Sequence, residues 1–87
     1  MDISQNPSDF YPSVHAQDQR KWRGIKWEDV STTIANGDVY QTGYDERILI
    51  VNDFEHTEEP VGVVARPDGD EWEIVTVEWR TEPVPKV

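Results

Sequence analysis

Apolar residues recur at three- and four-residue intervals in the first part of the chain, then alternate or bunch in short runs from Val39 onward. That change of period predicts helices first and strands afterwards. Ser13 is a suitable helix N-cap, and residues 14–23 run from it to Gly24, which can adopt the positive φ of a helix C′ position, with Arg20, Lys21 and Arg23 in the last turn. A second helix follows. Trp27, Val30 and Ile34 fall at helical spacing, Glu28 and Asp29 sit where the helix dipole favours anions, and Asn36-Gly37 closes the element. The short link through Gly24 suits a helical corner.

Beyond Asp38 the pattern predicts strands over residues 39–44, 47–54, 61–66 and 72–79. Ile48 to Val51 is apolar on both faces, as an inner strand requires. Pro67-Asp68-Gly69-Asp70 has the composition of a tight turn. Strict alternation in the last strand sets Trp72, Ile74, Thr76 and Glu78 on one face and Glu73, Val75, Val77 and Trp79 on the other. The expected fold is therefore α+β: two N-terminal helices followed by a twisted antiparallel sheet of about four strands. Residues 1–12, polar and bearing Pro7 and Pro12, read as a flexible or loosely docked arm pinned at its end by Phe10 and Tyr11. Residues 13–80 form the single domain, and residues 81–87, with Pro83 and Pro85, form an extended tail.

Eighty-seven residues support one core, and the absence of cysteine removes both disulfides and thiolate metal sites as staples. Four Trp, three Tyr and two Phe then predict an aromatic-rich core. The longest apolar run is far below the ~20 residues of a membrane span, so a cytoplasmic protein without membrane contact is expected. Eighteen Asp and Glu against eight Lys and Arg give a net charge of −10. Spread over a chain with clear periodicity, that charge points to a surface adapted to high salt, as in a halophile, and argues against disorder. It also opposes nucleic-acid binding, an objection that weakens as molar salt shortens the screening length to about 3 Å. Gly-rich phosphate loops and metal-ligand spacings are lacking, and neither cofactor nor metal is expected.

His15-Ala16, then Gln19-Arg20, Arg23-Gly24-Ile25, Trp27-Glu28-Asp29-Val30, Ala35-Asn36-Gly37 and Ile74-Val75-Thr76-Val77 together resemble the domain-of-unknown-function family 4258. Its members typically open with a His-Ala helix, turn through an Arg-Gly-Ile corner and end on a Val-Thr-Val strand. The likeness spans about residues 15–80. Members resemble the RelE-like and BrnT-like toxins, small α+β proteins that cut or bind RNA. The resemblance therefore implies a metal-independent endoribonuclease, with RNA or the ribosome and a cognate antitoxin-like protein as partners. One departure is plain: four residues after the His, where the family has Arg, stands Gln19, and Arg20 points about 100° away around the helix.

Metal-free RNA cleavage requires a base, an acid and positive charge for the transition state. His15, with an ordinary pKa of about 6.5, is the candidate acid/base. Arg23 shares its helical face, and Thr76 would orient it if the first helix packs across the sheet. Gln19, Arg20, Arg47, Arg66 and Arg80 are candidate binding residues. The competing expectation is a non-catalytic interaction or regulatory domain on the same scaffold. There the arginines only pair with carboxylates, His15 caps or packs, and His56 lies exposed in a charged loop. Whatever the function, self-repulsion among eighteen carboxylates opposes the compact state where screening is weak. The domain should melt at clearly higher temperature in molar potassium chloride than in dilute buffer. A variant with several surface Glu→Gln changes should gain less from salt, and equal gains would exclude repulsion as the cause.

Overall fold

A computed structural model describes residues 3–43 and 46–80. Ser13 caps the first helix, α1 (Val14–Trp22), accepting a hydrogen bond from the Ala16 amide at 3.0 Å. The chain leaves it through Gly24 at φ +69°, a conformation open to glycine and costly for most side chains. The second helix, α2 (Trp27–Asn36), starts directly after the corner. Four strands follow it: β2 (Asp38–Gln41), β3 (Ile48–Asn52), β4 (Val61–Asp68) and β5 (Glu71–Trp79). They form an antiparallel meander, and β4 and β5 meet in a tight turn at Gly69-Asp70. Tyr44 and Asp45, in the expected turn before β3, and the expected tail at 81–87 lie outside the described residues.

Among the described residues the sheet has five strands, one more than expected. Residues Phe10–Pro12 form β1, which precedes the helices and pairs parallel with β5, giving the order β1-β5-β4-β3-β2. The helices are thus mid-chain, and the sheet is mixed. Residues read as the end of an arm are held by a short 3₁₀ turn, Pro7–Asp9, capped by Asn6, and by Phe10, which is buried and stacks on Trp72 at a centroid distance of 6.0 Å. Tyr11 donates to the Asp68 carboxylate at the end of β4. That bond, chiefly, pushes the Tyr11 phenol up to about 12, helped by desolvation and the carboxylates of Asp68, Glu73 and Glu71. Three-residue parallel pairing has no sequence signature of its own, because its hydrogen bonds come from a strand some sixty residues away.

Both helices cover one face of the sheet, and the core between them is mainly aliphatic. Ala16, Ile25, Val30 and Ile34 meet Ile48, Ile50, Val61, Val63, Ala65, Ile74 and Val77. Among the described residues Phe10 is the buried aromatic in that cluster; Trp72, Trp79 and Phe54 only border it, and Trp27 is 40% exposed. The expectation of an aromatic-rich core fails because β-branched side chains on three strands already fill the space under two short helices.

Register departs from strict alternation at one place. Val64 pairs with Thr76 while Ala65 pairs with Ile74, so Val75 is an extra residue, a β-bulge. Ile74 and Val77 therefore both face the helices, and the alternation read from sequence holds only up to the bulge. Phe10 tests the account of β1. Phe10→Ala should destabilise the domain by roughly 3 kcal/mol, the cost of emptying a buried phenylalanine site. Urea unfolding measures it, and a shift near zero would mean that residues 10–12 are an arm after all.

Candidate functional site

The sheet separates the residues expected to act together. Residues opposite one another in neighbouring strands share a face, so Tyr40, Leu49, Val64 and Thr76 form one row on the face away from the helices. Thr76 therefore does not orient His15. Arg66 lies on the same outer face, paired with Glu73 at 2.6 Å, and the stem of Arg80 crosses Gly62 there, 2.6 Å from where a Cβ would stand. Arg80 pairs with Glu78 at 3.4 Å. Alternation from Leu49 sets Arg47 on that face as well.

On the helical side, the Gln19 amide donates to His15 Nε2 at 2.8 Å. Arg23 is the C-cap residue of α1, and its guanidinium donates to the Val77 carbonyl at 2.6 Å while its own carbonyl accepts from the Trp79 indole at 3.0 Å. Strand β1 ends opposite Ile74, and among the described residues no strand pairs with the edge of β5 beyond it. Arg23 closes that edge, a task that fixes α1 to the sheet. Arg20 turns to the corner and donates to the Ile25 carbonyl at 3.0 Å. His15 and Arg23 thus share a helix, but Arg23 is committed to the backbone and Thr76 lies across the sheet.

A different histidine sits in a cleft. The side chain of Asp29, on α2, is only 7% exposed, and His56, in the loop between β3 and β4, places Nε2 3.1 Å from each of its oxygens. A carboxylate buried without a partner would cost several kcal/mol, so this contact explains how Asp29 is tolerated on the buried face of α2 beside Val30 and Thr33. Phe54 backs the imidazole at a ring distance of 5.0 Å. The cleft, about 530 Å³, is bordered by Gly24, Lys26, Asp29, His56, Glu58, Glu59 and Trp79. With Nε2 held by Asp29, Nδ1 is the ring nitrogen left for proton transfer, and Lys26 supplies one positive charge at the start of α2. Among the described residues no cluster of His, Asp and Glu could hold a metal ion.

His56 is exposed, as its loop position suggests, at 58% of its side chain. Its carboxylate partner was not evident from the local sequence, since the two residues are 27 positions apart. A signal existed at the other end: Asp29 is one turn before Thr33 and adjacent to Val30, so helical geometry sets a carboxylate toward the core, where it needs a donor.

The architecture is that of a small α+β domain, two helices on one face of a five-stranded mixed sheet. The chain belongs to the family described as domain of unknown function (DUF4258), whose sequence model matches residues 13–79. Comparison with curated proteins and with solved structures gave no match. No helix among the described residues is long and apolar enough to cross a membrane.

The two ends of the Asp29–His56 contact should not be equivalent. His56→Ala leaves a buried carboxylate without its donor and should cost about 1–3 kcal/mol, whereas Asp29→Asn removes the charge and should cost less. Urea unfolding of both variants ranks them, and the reverse order would show that the pair is not what stabilises Asp29.

Proposed function

We propose that this chain is a non-catalytic interaction domain built on the DUF4258 scaffold. The observation that supports it is the division of the expected catalytic set: His15 and Arg23 are on the helical side, Thr76 on the outer face of the sheet. The arginines fit the same reading. Arg66 and Arg80 are paired with the chain's own carboxylates, and Arg23 serves the backbone. With a net charge of −10, such a surface gives little purchase to a polyanion.

A metal-independent endoribonuclease of the RelE and BrnT kind is the second reading, and one feature favours it. His56, oriented by Asp29 beside Lys26 in an open cleft, has the elements of a general acid/base next to a cation. In that reading the acting histidine is His56 in place of His15.

Metal-free incubation of mixed-sequence RNA with the chain in molar potassium chloride separates the two. RNA should remain intact, and a pull-down in the same salt should recover a protein. Cleavage abolished by His56→Ala or by His15→Ala would overturn the proposal and identify the histidine responsible; repeated recovery of RNA without protein would also count against it.

A further inference from the structure

Asn36 and Gly37 form the one Asn-Gly step of the sequence. Of the other asparagines, Asn6 precedes Pro7, which has no N–H, and Asn52 precedes the bulkier Asp53. The step lies where α2 ends and β2 begins, with Asn36 exposed and Gly37 the C-cap residue. A glycine amide, with no Cβ beside it, is the least hindered backbone nucleophile, and the carboxamide of a preceding asparagine can close a five-membered ring on it. In that reaction the Gly37 nitrogen loses its proton and bonds to Cγ of Asn36, ammonia leaves, and water opens the cyclic imide at either carbonyl. The products at position 36 are aspartate and isoaspartate, in which the backbone runs through the side-chain carboxyl.

Space, and not backbone conformation, keeps position 37 glycine. Its φ of −75° is open to any residue, but a Cβ there would stand 2.5 Å from the Thr33 carbonyl oxygen, 2.7 Å from Ile50 Cγ2 and 2.8 Å from the Val51 carbonyl oxygen. Two of these neighbours are backbone and the third is a core side chain, so none can swing aside. The junction between α2 and the sheet thus requires the residue that makes Asn36 reactive.

Two contacts hold the step closed. The Gly37 N–H donates to the Thr33 carbonyl at 2.8 Å, which retains the proton whose loss starts the reaction, and Asn36 is kept in the last turn of the helix, where the next peptide cannot turn its nitrogen onto Cγ. Gln5 donates from Nε2 to the Ile34 carbonyl at 3.1 Å and to the Gly37 carbonyl at 2.9 Å, so it bridges the end of α2 and the peptide beyond the step. We propose that Asn36 is a deamidation site gated by the C-cap of α2, with Gln5 the clamp that keeps the gate shut. Conversion to aspartate sets a negative charge at a helix C-terminus, where the dipole opposes it. Isoaspartate lengthens the backbone by one carbon just before Asp38 and Val39, which pair with Val51 and Ile50. Conversion is irreversible, so the chain keeps a chemical record of how often this junction opens, whatever it binds.

Peptide mapping by mass spectrometry tests it, following loss of the Asn36 amide during storage of the full chain at mildly alkaline pH, in molar potassium chloride and well below its melting temperature. The parent unfolded in urea should convert fastest and the folded parent far more slowly. Gln5→Ala should convert roughly 5- to 30-fold faster than the folded parent, the effect of removing two ordinary hydrogen bonds from a local opening equilibrium. Gln5→Glu, which keeps the stem and cannot donate when ionised, should behave likewise. His56→Ala, which acts two turns earlier in α2, should stay near the parent's rate. Urea unfolding of each chain gives its global stability. Equal rates in the folded and unfolded parent, parental rates in both Gln5 variants, or acceleration of the Gln5 and His56 variants in proportion to their loss of global stability would each overturn the gated site.

Discussion

Val75 is one residue more than β4 can match, and much of the molecule follows from where that excess is placed. A bulge reverses the phase of the strand, so Ile74 and Val77 both reach the core although they are an odd number of positions apart. Without it, the half of β5 carrying Val77 and Trp79 would turn its apolar side chains outward and set Thr76 and Glu78 against the helices. The bulge also lies where β1 stops, and among the described residues no strand pairs with the edge beyond it. Arg23 and Trp79 close that edge from the helical side, which couples the position of the α1–α2 corner to the irregularity in β5.

Local chemistry explains what could be read in advance. Ser13 and Gly24 delimit α1 through contacts made within a few residues, and the meander from β2 to β5 follows from period-two runs and their turns. The missing strand, the bulge and the buried acid share a different origin. Phe10 becomes a strand residue only when Trp72 is beside it, and Val75 becomes a bulge only against Val64 and Ala65. The spatial division of the candidate residues has the same origin. Alternation assigned Thr76 a face before the bulge was known, and the family order of His15, Arg23 and Thr76 carried no information about which side of the sheet each would occupy.

Charge is distributed unevenly in space even though it is even along most of the sequence. The outer face of the sheet balances Arg66 and Arg80 with Glu73 and Glu78, whereas Arg20 and Arg23 donate to backbone carbonyls. Between these regions, Asp29 shows how an acid can be buried at modest cost when a loop brings a histidine to it. The His56 contact also ties the loop between β3 and β4 to α2.

The parallel pairing of β1 with β5 has a consequence for how the molecule comes into being. Strand β1 is synthesised well before β5, and Phe10 has no strand to join until Trp72 has been made. During synthesis the meander cannot be closed on that side, and Phe10 must wait as exposed apolar surface. Such long-separation pairing slows folding and leaves incomplete chains vulnerable to misassociation. Chains interrupted before β5 would lack both the partner of β1 and the carbonyl that Arg23 caps, so the folded state belongs to translation products that run through β5.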